Sequence, residues 1–405
     1  SERLGRTPRA PFITVPLEAI SGHRFRLREG RAGNVAPSGR ERQRRGDLHG
    51  RRSTSPCVRM RVTDPVTRAG ALLSVGIRGA VPGDARLEAD LDVCAAAGVG
   101  SVVLFDVHVP RYRALVEAGV DPAEARWGAD RNVRSPAQVR TLCGYLRARL
   151  GQHLVILVDQ EGGEVARLRA ERGFRDSLPA PAEFARLGSV DRREAARRQA
   201  RELAALGIDG NLAPVVDVQR RSDGPLAAKG RLFGGDADLV IACARDVVVA
   251  HRAEGLASCL KHFPGLGSAD LDTHRALPVL DGDYDAAVEL APYRALLADE
   301  VPPEMVMAAH AVWRAVDPER PASASPRVLR DVLRGELGFE GVIATDSLDM
   351  EGAGEGGSVP AAVAALEAGA DLLMDAVNLT GPSEGLPHPA RKLAEALAEA
   401  VESGR

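Results

Sequence analysis

The densest set of reactive side chains lies in residues 261–274, which read KHFPGLGSADLDTH. Lys261 and His262 end an apolar run typical of a buried strand, and the Pro and Gly residues that follow favour a loop. Asp272 and His274 stand two residues apart, so the carboxylate can orient an imidazole that gives and takes a proton near neutral pH. On spacing alone, a solvated loop explains this pair better than a catalytic one.

Lys261 is unusual because the chain has only three lysines among its 53 basic residues. Its ammonium group suits hydrogen bonds to ligand hydroxyl groups, and a desolvated lysine could instead form a Schiff base. A surface lysine that extends into water is a third alternative. For His262 we favour a ligand contact over a core histidine satisfied by the backbone. Because side chains alternate along a strand, Lys261 and His262 reach one ligand only if the strand is ending there.

Another carboxylate, Asp346, lies near the end of the apolar run 341–348. A carboxylate at such a position can act as a nucleophile toward a bound substrate. The alternative is an N-cap for the helix that follows, which is a common use of Asp. Asp349 is the better cap candidate and the weaker nucleophile candidate.

The segment VDQEGG at residues 158–163 contains a third candidate carboxylate, Asp159. Asp159 could hold ligand hydroxyl groups, while the Gly pair lets the backbone approach closely. The Asp, Gln and Glu oxygens also suit Mg²⁺ or Ca²⁺, but the chain shows no ligand set with recognisable metal spacing. We therefore expect no metal. Arg167 and Arg231 are further candidates for polar substrate contacts.

These residues must be positioned by the apolar runs, which alternate with longer segments of helical character. Continuous apolar runs suit strands buried on both faces of a parallel sheet. The eight runs cover residues 72–77, 101–107, 154–160, 208–218, 257–263, 305–312, 341–348 and 370–377. Eight such strands favour an α/β fold with a closed (β/α)8 TIM barrel, although an open doubly wound sheet gives the same alternation.

Seven of the eight runs finish in or beside ionisable side chains that a buried strand does not need. These side chains are Asp106, Asp159, Asp217, Lys261 with His262, His310, Asp346 and Asp375. In a TIM barrel, the carboxyl ends of the strands meet on one face, and active sites lie there. The sequence therefore predicts a functional site at this face.

Two helices and one insertion are also predicted from local patterns. Helices are expected at residues 191–206 and 325–337, the second with Ser325 as N-cap and Pro326 at the first helical position. An insertion at residues 109–133 lengthens the second strand-to-helix connection and contains Trp127. We expect it to shape a rim or lid of the site.

The first 62 residues differ in kind from the rest, with fifteen Arg against five acidic residues and no apolar periodicity. We interpret residues 1–62 as a disordered segment and residues 63–405 as one folded domain. A nucleic-acid-binding arm is disfavoured because the tract lacks interleaved aromatic residues. No apolar run of 18 residues or signal-peptide pattern occurs, so we expect a cytoplasmic protein without a membrane partner. The five scattered cysteines are expected to be reduced and mostly buried.

Taken in order, these segments resemble glycoside hydrolase family 3, in its bacterial β-N-acetylglucosaminidase branch. The resemblance covers about residues 70–376. It is carried by the strand with His310 and by VDQEGG with Arg167, NLAPVVDV, GRLFG, KHFPGLG with DLDTH, PASAS, LGFEGVIATDSLDM and EAGADLL. Ordered matches of this kind across most of a chain are highly specific.

The resemblance implies a barrel enzyme that removes terminal β-linked N-acetylglucosamine, typically from cell-wall or chitin-type fragments, by a two-step retaining mechanism. It assigns the nucleophile to Asp346 and the acid/base role to His274 held by Asp272. Sugar contacts fall on Asp159, Arg167, Arg231, Lys261 and His262. The implied partner is a small carbohydrate, with no cofactor, metal or nucleic acid, and a monomer acting in peptidoglycan recycling.

Some features depart from the family's pattern. Leu266 stands where a second His is more usual, Leu232 replaces a small residue, and the chain is expected to stop before the usual terminal helix, exposing part of the barrel's closing interface. A β-glucosidase or a glycoside phosphorylase of the same family also stays open. More distant alternatives are a Schiff-base aldolase using Lys261 and a non-catalytic sugar-binding barrel.

Overall fold

The computed structural model describes residues 64–273, 275–354, 356–378 and 387–404. The predicted disordered segment, Cys57 and His274 lie outside these residues, so the predictions for them stay predictions.

The described chain contains one eight-stranded parallel sheet, and every strand falls inside one of the eight predicted runs. The strands are β1 (Leu73–Gly76), β2 (Ser101–Leu104), β3 (Val155–Val158), β4 (Gly210–Asn211), β5 (Ala257–Phe263), β6 (Met305–Ala308), β7 (Val342–Thr345) and β8 (Leu373–Asp375). Each strand from β1 to β6 pairs with the next in the chain, β1 also pairs with β8, and an isolated parallel bridge from Ala344 to Leu372 joins β7 to the start of β8. Between β7 and β8, the Thr345 N–H donates to the Leu372 carbonyl at 2.9 Å. The sheet therefore closes, and the predicted TIM barrel is confirmed.

Alternate residues of the strands point to different sides of the barrel wall, as the period of a strand requires. In β3, Val155 and Leu157 belong to the apolar cluster inside the barrel. Their neighbours Ile156 and Val158 belong to the larger cluster between the barrel and the helices. Both faces are buried, which explains why the runs are continuously apolar.

Helices of the described residues surround this barrel. Their bounds are Pro65–Gly70, Ala85–Ala97, Val109–Glu117, Pro122–Gly128, Pro136–Leu150, Pro181–Phe184, Ser189–Leu206, Pro225–Ala228, Ala237–Ala253, Ala286–Glu289, Ala291–Leu297, Arg327–Glu336, Ser358–Ala368 and Ala390–Glu402. Shorter 3₁₀ turns cover Ala170–Arg172, Ala322–Ala324 and Glu351–Ala353. Small two-stranded pairs join Gln160–Gly162 to Val165–Ala166 and Val279–Leu280 to Val312–Trp313.

Both helices predicted from local patterns are present. The first begins two residues earlier than predicted, at Ser189. The second is a π-helix, Arg327–Glu336, and the Ser325 hydroxyl accepts a hydrogen bond from the Val328 N–H at 3.2 Å. Ser325 therefore serves the capping role that the sequence predicted.

The insertion at residues 109–133 forms two short helices beside the carboxyl end of β2. From the second of them, Arg126 donates to Asp106 Oδ2 at 2.7 Å. Trp127 is 54% exposed and lies under the Arg172 guanidinium, 4.5 Å from the ring centroid. The insertion thus joins the rim of the face where the strands end.

The last helix of the described residues lies at the closing interface, which was expected to be partly exposed. The helix Ala390–Glu402 buries Leu393 and Leu397 and packs against the helices Pro65–Gly70, Ala85–Ala97 and Ser358–Ala368. It therefore covers the wall where β8 meets β1. Among the described residues, no helix is long and apolar enough to cross a membrane. Cys94, Cys143, Cys243 and Cys259 are free and buried, as expected.

Candidate active site

One cavity opens at the carboxyl ends of the strands, and it brings together the predicted site residues that the structure describes. These residues are Asp159, Arg167, Arg231, Lys261, His262, Asp272 and Asp346. They come from β5 and from the connections after β3, β4, β5 and β7, so only closure of the barrel makes them neighbours. The predicted convergence at this face is confirmed for these side chains.

Lys261 is the centre of a buried charge cluster. Its ammonium group donates to Asp159 Oδ1 at 2.8 Å and pairs with Glu161 Oε1 at 2.6 Å, and the residue is only 2% exposed. Burial lowers the pKa of Lys261, but Asp159 and Glu161 outweigh burial and raise it above its ordinary value. The amine is therefore charged at neutral pH. A Schiff base requires the neutral amine, so this environment opposes the aldolase alternative.

Glu161 is a site residue that the sequence reasoning treated only as one oxygen of a metal alternative. Arg231 donates to both of its oxygens, at 2.7 and 2.9 Å, in the bidentate geometry that fixes a guanidinium. Burial raises the pKa of Glu161, but Arg231 and Lys261 more than offset this and hold the pKa well below its usual range. Glu161 therefore anchors both cations at the cavity wall.

His262 is held by a carboxylate, Asp217, which follows β4. The His262 ring Nδ1 lies 2.8 Å from Asp217 Oδ2, and the His262 N–H donates to Asp217 Oδ1 at 3.0 Å. The pairing of β5 with β6 shifts register between Lys261 and Phe263, which re-aims a side chain. Lys261 and His262 therefore both line the cavity even though the strand runs on to Phe263.

Asp346 follows β7 directly and lines the cavity from that side. Its N–H donates to the Ala308 carbonyl at 2.9 Å, and its Oδ1 accepts from the Ser347 N–H at 2.8 Å. The interpretation of Asp346 as a helix cap is wrong, because the next α-helix begins only at Ser358 and has no side-chain cap.

Asp349 is not a helix cap either. It accepts from the Ser347 hydroxyl at 2.6 Å and from the Asn378 N–H at 2.9 Å, so it ties the segment after β7 to the segment after β8. His310 completes this support, because its Nε2 lies 3.0 Å from the Ser347 carbonyl. The position of Asp346 is thus fixed by its neighbours on both sides along the barrel.

Asp272 also lines the cavity, and its Oδ2 accepts from Lys229 Nζ at 3.1 Å. Lys229 is a second lysine at the site, and no motif around it in the sequence predicted this position. Its rarity in this chain was the available signal, as it was for Lys261. His274 lies outside the described residues, so the pairing of Asp272 with His274 stays a prediction.

Four of the ionisable run ends do not line the cavity. Asp106, Asp217, His310 and Asp375 are buried behind it. Burial and the neighbouring Asp349 raise the pKa of Asp375 to about 6. Among the described residues, no group of three or more His, Cys, Asp or Glu could hold a metal ion. The oxygens of Asp159 and Glu161 are instead engaged by Lys261 and Arg231.

Comparison with known proteins decides the family. The family model for the glycosyl hydrolase family 3 N terminal domain matches residues 95–405. The chain belongs to glycosyl hydrolase family 3. A relative named beta-hexosaminidase, from Alkalilimnicola ehrlichii, is 39% identical over 255 residues, which are 60% of this chain and 71% of that protein. As a member of this family, the chain is a glycoside hydrolase.

Solved structures of similar proteins match the fold. A glycoside hydrolase family 3 beta-N-acetylglucosaminidase from Paenibacillus sp. str. FPU-7 matches with a TM-score of 0.68 and 32% identity over 84% of this chain. This chain spans only 58% of that longer one. Beta-N-acetylhexosaminidase from Beutenbergia cavernae DSM 12333 matches with a TM-score of 0.68 and 27% identity, covering 84% of this chain and 93% of that one.

The two leucines that depart from the family 3 pattern have structural roles. Leu266 is 5% exposed and lines the cavity, and its N–H donates to Asp217 Oδ1 at 2.8 Å. Leu232 is 2% exposed and belongs to the core. Neither substitution therefore removes a group on which the charge cluster depends.

Proposed function

We propose that this chain is a retaining exo-β-N-acetylglucosaminidase that hydrolyses terminal β-linked N-acetylglucosamine of cell-wall or chitin-type fragments. The observation that carries the proposal is that Asp346 shares one cavity with the cluster formed by Asp159, Lys261 and Arg231. A carboxylate nucleophile and a set of fixed polar groups that hold a sugar are what a two-step glycosidase needs. The names of the relatives support the choice of sugar.

In the proposed reaction, Asp346 attacks the anomeric carbon, and the glycosidic bond breaks as the leaving oxygen receives a proton. His274 supplies that proton and then removes one from the water that hydrolyses the glycosyl ester. Asp272 orients His274. Asp159, Arg167, Arg231, Lys261 and His262 bind the sugar hydroxyl and acetamido groups.

Lys229 contacts Asp272, which is the proposed partner of His274. Its ammonium lies 3.1 Å from Asp272 Oδ2, and both side chains are partly exposed at the cavity. Such an exposed ion pair contributes little to stability, so we interpret Lys229 as an orienting contact rather than a structural one.

The decisive assay compares 4-nitrophenyl N-acetyl-β-glucosaminide with the corresponding β-glucoside. We expect the acetamido substrate to be preferred in kcat/KM by at least about 100-fold. A site that hydrogen-bonds the acetamido group leaves its own buried polar groups unpaired when the glucoside binds, and this raises the free energy of the transition state. Proton NMR of the early products should show the β-anomer first. Preference for the glucoside would favour the β-glucosidase alternative, and a rate that depends on phosphate with release of a sugar phosphate would favour the phosphorylase.

A second test concerns the acid/base assignment. His274→Ala should lower kcat/KM, which reports the glycosylation step, about 10²- to 10⁴-fold with a poor leaving group such as phenol, since proton transfer contributes on that order. The loss of kcat/KM should be far smaller with 2,4-dinitrophenol, which leaves without a proton. His153→Ala, which changes an exposed histidine, is the matched control. Equal losses with both leaving groups would remove His274 from the acid/base role.

The proposed setting is a monomeric cytoplasmic enzyme of peptidoglycan recycling, acting on small carbohydrates without nucleic acid or membrane as partner. Cell fractionation and sedimentation of the full chain would test these points directly.

A further inference from the structure

Glu289 is a buried carboxyl that the proposed mechanism does not use. The residue is 0% exposed, and neither of its oxygens has a hydrogen bond of normal geometry. An uncompensated buried carboxylate is costly, so a side chain of this kind normally has a reason to be there. Glu289 ends the short helix Ala286–Glu289, which packs close to the loop after β5.

This loop, the β5 loop, covers residues 264–273. Its first half lies directly on the Glu289 carboxyl. A Cβ placed on Gly265 would come 2.6 Å from Glu289 Oε2, and one placed on Gly267 would come 3.1 Å from Glu289 Oε1. Gly265 also has a φ of +131°, which favours glycine. The close approach therefore depends on these two glycines.

The same half of the β5 loop is held by other groups. The Tyr284 hydroxyl donates to the Pro264 carbonyl at 3.0 Å, and the Arg220 N–H donates to the Gly267 carbonyl at 3.1 Å. Asp217 Oδ1 accepts from the Leu266 N–H at 2.8 Å. Asp217 also holds His262, so one network fixes both a wall of the cavity and the base of the β5 loop.

We infer that Glu289, in its neutral form, is the positioning residue that seats the β5 loop and so places Asp272 at the cavity. The inference rests on the proposed function, because seating the loop matters for catalysis only if Asp272 and His274 take part in the reaction. Glu289 touches no reacting atom and acts only through the loop backbone.

The electrostatic surroundings explain why the neutral form is needed. Burial first, and then the negative charge of Asp217, raise the pKa of Glu289 to about 8, although Arg220 and the nearby backbone N–H groups of Val218 and Gly267 favour ionisation. The other titratable groups around it, Tyr284 and Tyr293, are neutral because burial raises the pKa of both phenols. In the described part of the chain, no lysine or arginine hydrogen-bonds to either Glu289 oxygen.

The sign of the pH dependence follows from this shift. With the loop seated, Glu289 keeps its proton up to about pH 8, whereas an exposed glutamate loses it near its ordinary value of 4.5. The seated state therefore binds more protons than the released state between these two values. The equilibrium constant for seating the loop should fall as pH rises from about 4.5 to about 8, by up to about tenfold per pH unit. Above that range it should not change further.

Hydrogen exchange of the full chain tests this without any turnover. Exchange of the peptide covering the β5 loop, corrected for the intrinsic rate at each pH, should rise between pH 5.5 and 8 and then level off. Glu289→Gln keeps the neutral shape and should make the corrected exchange independent of pH. Glu304→Gln changes another acid whose pKa burial raises, beside the amino end of β6, and should behave as the wild type.

A second test of the inference measures turnover. With the 2,4-dinitrophenyl substrate, which needs no acid, the ratio of kcat of Glu289→Gln to kcat of wild type should grow several-fold from pH 5.5 to 8.5. The inference would be overturned if the corrected exchange of the β5 loop did not change with pH in the wild type. It would also be overturned if this exchange rose with pH equally in Glu289→Gln. Absence of hydrolysis by the wild type would instead count against the proposed function and leave the exchange experiment decisive for Glu289.

Discussion

Asp346→Asn is expected to lower kcat for the 4-nitrophenyl N-acetyl-β-glucosaminide by about 10⁴-fold, with little change in stability. The amide has the same shape as the carboxylate, and its oxygen can still accept the Ser347 N–H that Asp346 Oδ1 accepts at 2.8 Å. It cannot form the glycosyl ester, however. The loss therefore falls on the chemical step.

Azide should restore part of this turnover and give the α-glycosyl azide, because a small anion then occupies the face that the carboxylate has left. Asp349→Asn is the control from the same segment. It disturbs the bonds to Ser347 and Asn378, so it should lower the melting temperature without any response to azide. Wild-type kcat in Asp346→Asn, or an azide product with the β configuration, would show that another group is the nucleophile.

The barrel could be predicted because its strands are buried on both faces. Their runs are mostly apolar, and the ionisable residues lie at or beside the end where the chain leaves the barrel. The lengths of the strands were predicted less well. In the run 208–218 only Gly210–Asn211 is strand, since Pro214 has no N–H to donate to a neighbour.

The charge pairs of the site could not be predicted in the same way. Glu161 and Arg231 are separated by 70 residues, and only the closed barrel brings them within hydrogen-bond distance. Without that contact, a Glu beside Asp159 is equally typical of a metal site. The contact between Lys229 and Asp272 was equally unpredictable, because the two residues lie in different loops, 43 residues apart in the sequence.

Asp346 shows the opposite case. Its place after an apolar run was enough to mark it as a site candidate, but the choice between nucleophile and helix cap depended on where the next helix begins. The helix that follows begins only at Ser358 and has no side-chain cap, which removes the cap alternative, and the nucleophile role of Asp346 stays a proposal. Local patterns therefore locate candidate residues, whereas their partners are fixed by tertiary structure.

Lys261→Met is expected to reduce kcat/KM by about 10³-fold and the free energy of unfolding by about 3–5 kcal/mol at pH 7. The methionine fills a similar volume but leaves Asp159 and Glu161 without the ammonium that pairs with them at 2.8 and 2.6 Å. Lys392→Met is the matched control, because Lys392 is exposed on the helix Ala390–Glu402. It should leave both quantities unchanged.

The pH dependence separates the charge effect from simple packing. The pKa of Glu161 is lowered in the folded protein, so its ion pairs stabilise the fold above the ordinary value of 4.5, and this contribution is lost as pH falls further. The stability difference between wild type and Lys261→Met, measured by urea unfolding, should therefore be largest at pH 7 and smaller at pH 4. A difference that is the same at both values would assign the loss to packing.

Ligand protection then separates binding from stability. Free N-acetylglucosamine should raise the Tm of the wild type by an amount that grows with its concentration, because it binds only the folded chain. In Lys261→Met the same concentrations should give a much smaller rise, while in Lys392→Met the rise should equal that of the wild type. An undiminished rise in Lys261→Met would mean that the ammonium holds the cavity wall together but makes no contact with the sugar.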